Sequence, residues 1–224
     1  RIKRIEEYRM LVDLTVTDFV EELKSGKPTP GGGGVAALNA ALGAGLIMMV
    51  ANHTIGQEKY AQWEEDCIRI RDEADALRAK FLEGVDNDAA AFGRVAAAFK
   101  MPKETDEEKA ARSEEIEAAS VEAAEAPLSV MADSVEALKL CKEMLGKSNP
   151  NLESDLHVAA LSLGGGIASA KYNVEANLPA LRKKNPELAM ELETTCNKLT
   201  EEGRLLATVI TGYSKLQILA NQCK

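Results

Sequence analysis

Aromatic side chains are scarce: four Phe, four Tyr and one Trp serve 224 residues. So few flat platforms leave little on which to stack the bases of a single-stranded nucleic acid. Positive charge is in deficit as well, with 27 Lys and Arg against 36 Asp and Glu and a formal charge of −9. Nucleic-acid binding rests on neutralising phosphates with a basic surface, so no nucleic-acid partner is expected. The four cysteines, Cys67, Cys141, Cys196 and Cys223, lie far apart and form no C-x-x-C. They read as reduced thiols of a cytoplasmic protein, not as a disulfide framework or a zinc site. The two histidines, His53 and His157, stand without a carboxylate pattern, which argues against a metal centre. No nucleophile elbow is present, so a Ser-His-Asp triad has no support. The opening RIKRIEEYRM lacks an apolar core of signal-peptide length, and no secretory leader is expected.

Strand signals are missing too. Alternation of β-branched residues never persists, whereas 3.6-residue periodicity recurs throughout. The longest apolar stretch, Gly33–Ala51, approaches membrane-spanning length, but its small residues and Asn39 make it weakly hydrophobic. It is expected to be a buried core helix, with no membrane partner. Hydrophobic residues make up 46% of the chain, enough for one well-buried domain over residues 1–224. The pattern predicts an all-α fold, an antiparallel bundle of long helices joined by short loops. Thr15-Val-Thr-Asp18 resembles a capping box opening a first helix whose apolar stripe is Val16, Phe19, Val20 and Leu23. Further helices are expected over about 33–51, 61–99, 106–145 (interrupted by Pro127), 152–177, and from Pro186 onward.

What is abundant is small residues, above all in PTPGGGGVAALNAALGAG at 28–45. Four consecutive glycines are entropically expensive, so something must require them. No Lys-Ser or Lys-Thr follows, which rules out a phosphate loop, and no strand precedes, which argues against a dinucleotide fold. At roughly 100° per residue, Gly33, Ala37, Ala40 and Ala44 share one smooth face, opposite Val35, Leu38, Leu42 and Met49. A smooth face admits another backbone closely, and this face, or that of Ser162, Gly166 and Ser169, is expected to meet a symmetry mate.

Two further segments could carry chemistry. In FLEGVDNDAAAFGRVAAAF, residues 81–99, an apolar stripe of Phe81, Val85, Phe92, Ala96 and Phe99 is expected, with Asp88 inside it. A carboxylate on such a stripe is desolvated and its pKa rises, which prepares a general acid or base. The plainer alternatives are that Asp88 caps a helix break near Gly84 or pairs with a buried cation. Asp86 lies about 200° away round the helix, so the two acids cannot work as a dyad. In NPNLESDLHVAALSLGGGIASAKYNVEANL, residues 149–178, Asp155 begins a small polar face that Asn173 and Asn177 continue. Asp155 alone reads as a partner of the helix dipole, whereas the triple glycine 164–166 demands close packing or a ligand.

Taken in order, PTPGGGGVAALNAALGAGL, NHTIGQEKY, VDNDAAAF, KMPKET, SDLHVAA and YNVEANL resemble the formimidoyltetrahydrofolate cyclodeaminase family, over roughly Asp13 to Ser214. That family comprises the C-terminal domain of formiminotransferase-cyclodeaminases and single-domain cyclodeaminases and methenyltetrahydrofolate cyclohydrolases. The resemblance implies an all-helical, homodimeric fold that binds tetrahydrofolate, with no cofactor beyond that substrate. It implies closure of the N5-formimino group onto N10 with loss of ammonia, or, as the alternative, opening of the 5,10-methenyl bridge by water. It makes Asp88 the catalytic acid or base and Gly31, Gly32 and Gly33 binding positions. Asp155 and Asn173 become supporting contacts, and Lys100 and Lys103 candidates for the folate tail. The family usually reads PGGGS, whereas Gly34 replaces that serine here, so only a backbone contact carries over. No transferase domain precedes the resemblance, so channelling between domains is not expected. A non-catalytic helical oligomer is the alternative of another class, weakened by Asp88, since packing gains nothing from a carboxylate in an apolar stripe.

Overall fold

The structure, a computed structural model, describes the backbone of residues 10–222 and the side chains of residues 10–213; Cys223 lies outside them. Six α-helices follow one another: α1 (Val16–Leu23), α2 (Gly32–Asn52), α3 (Glu64–Lys100), α4 (Asp106–Met144), α5 (Glu153–Arg182) and α6 (Pro186–Gln222). Among the described residues there is no strand, only helices and short 3-10 turns. The ends follow local chemistry. Thr15 Oγ1 accepts the Asp18 N–H at 3.1 Å to open α1. At the head of α4, Thr105 and Glu108 form a reciprocal capping box, each accepting the other's N–H at 3.1 Å. α3 stops before Pro102, which cannot continue a helix.

Cross-helix pairs fix the directions. Gly33 faces Asp88 and Ala37 faces Gly84, so α2 and α3 run antiparallel. Gly43 faces Leu163 and Ala40 faces Gly166, so α2 and α5 do too. α2 therefore runs through the middle of the bundle. Its length and apolar composition would suffice to cross a membrane, yet Ala37, Ala40 and Ala44 are wholly buried among the other helices. A Cβ on Gly43 would stand 2.7 Å from Leu163 Cγ and 3.0 Å from the Ala159 carbonyl; one on Gly166 would stand 3.1 Å from the Ala36 carbonyl. The Gly33/Ala37/Ala40/Ala44 face of α2 is thus covered within one chain, and the expectation that it meets a symmetry mate is overturned. On α5, Gly166 packs against α2, whereas Ser162 and Ser169 are half-buried.

Two other expectations need correction. In α1 only Phe19 reaches the core; Val16 is 84% exposed, and Val20 and Leu23 also face outward. A helix of 8 residues on the outside of the bundle inserts one anchor, not a stripe. In α3 the buried positions Cys67, Ile70, Ala74, Phe81, Val85, Ala91 and Ala98 keep a spacing near 3.5 residues. That is the repeat of helices wound round one another, and it drifts from the straight 3.6 period over a long helix. After Asp88 it selects Ala91 and Ala98, and leaves Phe92 and Phe99 48% and 53% exposed.

Prolines 127 and 179 both lie inside helices, and neither stops its helix. A helix-interior proline costs roughly 3 kcal/mol and leaves the carbonyl four residues earlier without its donor. Pro179 is exposed, so the freed Glu175 carbonyl can turn to water. Pro127 is buried, and the freed Ala123 carbonyl instead accepts Asn177 Nδ2 of α5 at 3.1 Å. Left unmet, a buried carbonyl costs about 1–3 kcal/mol, so this one bond offsets much of the proline's penalty.

Helices α2, α5 and α6 each leave large apolar side chains exposed. Leu42, Val158, Leu161, Leu205 and Val209 are exposed there, Leu161 by 63%, with Gly164 and Gly165 on the floor of a groove of about 440 Å³ between α5 and α6.

Candidate functional site

The site begins at the N-terminus of α2. Gly31 is its N-cap and offers no side chain, and the first intrahelical bond is Val35 N–H to Gly31 O at 3.1 Å. The N–H groups of Gly32, Gly33 and Gly34 therefore have no partner inside the helix. Asp88, arriving from α3, supplies one: its Oδ2 accepts the Gly34 N–H at 3.0 Å. The glycines make this approach possible. A Cβ on Gly33 would lie 1.9 Å from Asp88 Oδ1, which no side chain can occupy. Neither plainer reading of Asp88 holds: it caps α2 from outside, and no cation among the described residues pairs with it.

Two forces act on its carboxylate. Burial raises its pKa above the ordinary aspartate value, and the Gly34 N–H pulls it down by a lesser amount. The desolvating walls come from four helices: Gly33, Gly84, Ala126, Pro127, Val130 and Ala170 line a cavity of about 10 Å³ against Asp88. Phe92 is not among them, contrary to the sequence-based stripe. So small a space is at the limit for one water. It shares Gly84, Ala126 and Val130 with a groove of about 550 Å³ between α3 and α4, large enough for a ring system. The Lys80–Asp133 ion pair, at 3.1 Å, bridges the two helices at this groove, and Glu83 and Glu125 line it with no ion pair among the described residues.

Asp86 has a different task. Its Oδ1 accepts the Leu11 N–H at 2.6 Å and its Oδ2 the Val12 N–H at 3.4 Å, pinning the turn ahead of α1. The two acids do not form a dyad. Asn173 of α5 flanks the other side of the α2 terminus. Its Nδ2 donates to the Ser169 carbonyl at 3.0 Å, and its Oδ1 faces Gly32, 3.6 Å from where a Cβ would stand.

The structure therefore brings together Gly31, Gly32, Gly33, Asp88 and Asn173. It does not bring Asp155 to them: that residue sits in the first turn of α5, about 27 Å along the helix from Asn173 at 1.5 Å per residue. Lys103 is exposed in the turn after α3, whose last residue, Lys100, is about 18 Å along the helix from Asp88. Sequence reasoning named Pro127 and Asn177 but missed their pairing, and it missed Ala126. The signal available was a proline inside an otherwise strong helical pattern, which demands a donor from elsewhere. Among the described residues no three His, Cys, Asp or Glu side chains cluster as a metal site would need.

A glycine-opened helix held against a half-buried carboxylate, next to a groove large enough for a ring system, is the feature an all-helical enzyme of acid–base chemistry would use. The chain belongs to the formiminotransferase-cyclodeaminase family, which it matches over residues 15–198. This is a family of cyclodeaminase and cyclohydrolase enzymes of folate metabolism. It is 39% identical to the methenyltetrahydrofolate cyclohydrolase of Methylorubrum extorquens, over 85% of this chain and 91% of that one. It is 34% identical to the formimidoyltransferase-cyclodeaminase of Rattus norvegicus over 75% of this chain, but spans only 31% of that protein. Among solved structures, the formiminotetrahydrofolate cyclodeaminase of Thermotoga maritima superposes with a TM-score of 0.70 and 27% identity, covering 88% of this chain and 97% of that one.

Proposed function

We propose that this protein is a methenyltetrahydrofolate cyclohydrolase, with Asp88 as its proton-transfer group. The observation that carries this choice is the 39% identity to a cyclohydrolase over nearly the full length of both chains. In this reading the folate's ring system lies in the α3/α4 groove beside Asp88, and its tail runs towards Lys100 and Lys103. Asp88 takes a proton as water adds to the methenyl carbon. It returns that proton to N5 as the carbon–N5 bond breaks, while the hydroxyl on the carbon releases its own proton to solvent and becomes the formyl carbonyl, which leaves 10-formyltetrahydrofolate. The raised proton affinity of Asp88 suits both halves of this exchange near neutral pH. Gly31, Gly32 and Gly33 give the ligand access to backbone groups, and Asn173 offers an acceptor whose orientation its bond to Ser169 fixes. The reading needs no cofactor beyond the folate.

The second reading is formimidoyltetrahydrofolate cyclodeaminase, favoured by the likeness to the Thermotoga maritima enzyme. Here the same carboxylate takes the N10 proton and protonates the departing nitrogen. Two assays separate them. The methenyl substrate should lose its absorbance well above the spontaneous rate, while the formimino substrate should release no ammonia. Rapid ammonia release with a spontaneous rate of methenyl loss reverses the order.

We also propose that a second copy of the chain covers the exposed apolar side chains of α2, α5 and α6, giving a homodimer. Each of the three helices exposes leucine or valine, and twofold dimers are the commonest closed assemblies. Light scattering should find a dimer at micromolar concentration, and Leu161→Glu should split it. A monomeric wild type ends the proposal.

A further inference from the structure

We infer that Asn177 is a positioning residue for Asp88, acting through the break that Pro127 makes in α4. The inference rests on Asp88 being the proton-transfer group. Pro127 and its neighbour Ala126 form one wall of the Asp88 cavity. Their turn begins at Ala123, whose carbonyl would normally accept the N–H of residue 127. Proline has none, and its ring pushes that carbonyl outward. Asn177 Nδ2 meets it at 3.1 Å from α5. The same Nδ2 lies 2.9 Å from the Asn173 carbonyl, one turn earlier on α5, so the amide is held from both sides.

One side chain thus ties the α4 wall to the stretch of α5 that carries Asn173 towards Gly32. The other proline needs no such partner, because it is exposed. Take the donor away and the turn from Ala123 to Pro127 loses its cross-helix hold at that carbonyl. Water then reaches the Asp88 cavity. Among the described residues no other ionisable group lines that cavity from α2, α3, α4 or α5, where the neighbours are Gly33, Gly84, Ala126, Pro127, Val130 and Ala170. Hydration alone therefore sets the direction, and a better-solvated carboxylate gives up its proton at lower pH.

The test is the acid limb of the pH profile of kcat/KM, which reports the essential base in the free enzyme. Asn177→Ala should move that limb to lower pH by about one unit, while Asn177→Gln, which keeps an amide donor, should leave it in place. A lower melting temperature with an unmoved limb would mean that Asn177 only holds the fold, and would overturn the inference. Should Asn177→Ala fail to fold, the comparison moves to the Pro127→Ala background, where residue 127 supplies its own N–H to Ala123. Adding Asn177→Ala there should leave the limb of Pro127→Ala unchanged, and a further shift would overturn the inference. An Asp88→Asn enzyme that turns over normally sinks the underlying reading instead. An inactive Asp88→Asn beside an unmoved Asn177→Ala limb removes this inference alone.

Discussion

Asp88→Asn should lower turnover about 10²- to 10⁴-fold, the range expected when a positioned acid–base group is lost. The fold should survive, because the asparagine carbonyl can still accept the Gly34 N–H that Asp88 holds at 3.0 Å. Stability should move the other way. Burial raises the folded pKa of Asp88, so the ionised form is the disfavoured one in the native state. Such a group contributes fully to stability below its unfolded pKa, about 3.9, and that contribution is lost as pH rises through the folded value. At pH 7 the wild type therefore carries a penalty that asparagine does not. Melting curves of the two proteins should diverge towards neutral pH, with the variant higher, and converge near pH 4. Asp86→Asn is the internal control, since Asp86 only accepts the Leu11 and Val12 N–H groups and one of its oxygens persists as an amide. It should stay within a few-fold of wild-type activity. A dead Asp86→Asn beside an active Asp88→Asn would transfer the assignment by two residues.

The addition of a single methyl group at Gly33 should cost about as much activity, on the order of 10²-fold or more. Its Cβ would fall 1.9 Å from Asp88 Oδ1, 2.4 Å from Cγ and 2.9 Å from Oδ2. The aspartate side chain is short, so it cannot clear the methyl and keep its bond to Gly34. Gly33 has no positive φ, and alanine is the better helix former by about 1 kcal/mol, so the backbone itself raises no objection. The signature is thus lost turnover in a protein that still folds. Gly34→Ser makes the contrast: a Cβ there meets only the Val85 carbonyl at 3.5 Å and Val85 Cγ1 at 3.7 Å, ordinary contacts. It also restores the serine usual in the family, and activity should stay within a few-fold. Steady-state kinetics with melting curves check both. Full activity in Gly33→Ala would mean that Asp88 does not work from this position.

The helices were legible because their punctuation is local. Thr15, Pro102, Thr105 and Pro186 mark ends that the backbone respects to within a residue or two. Asp88 was legible because a carboxylate among apolar residues is anomalous wherever the helix turns. What surrounds it was not. The drift from 3.6 to 3.5 residues over the 37 residues of α3 turned Phe92 outward and Ala91 inward, and no single turn of sequence reveals that drift. The role of the glycines was half read: a close neighbour was foreseen, but not that it would be the carboxylate of Asp88. The pairing of Pro127 with Asn177 joins residues 50 positions apart in the sequence, and only the meeting of α4 with α5 discloses it. The reaction order was read with ring closure first, whereas likeness over full length favours hydrolysis.

The central helix has one more consequence. Alanine and glycine surrender almost no rotamer freedom when buried, so the inward face of α2 joins the core without the side-chain ordering that leucine or methionine would demand. The same poverty removes any means of adjustment. From Gly33 to Ala44 that face has no torsions to turn, so a change in a neighbour there can be absorbed only by moving the helix as a rod. The N-terminus of that rod is the end that Asp88 holds, so packing changes along this small-residue half of α2 are delivered as a displacement of the Asp88 seat.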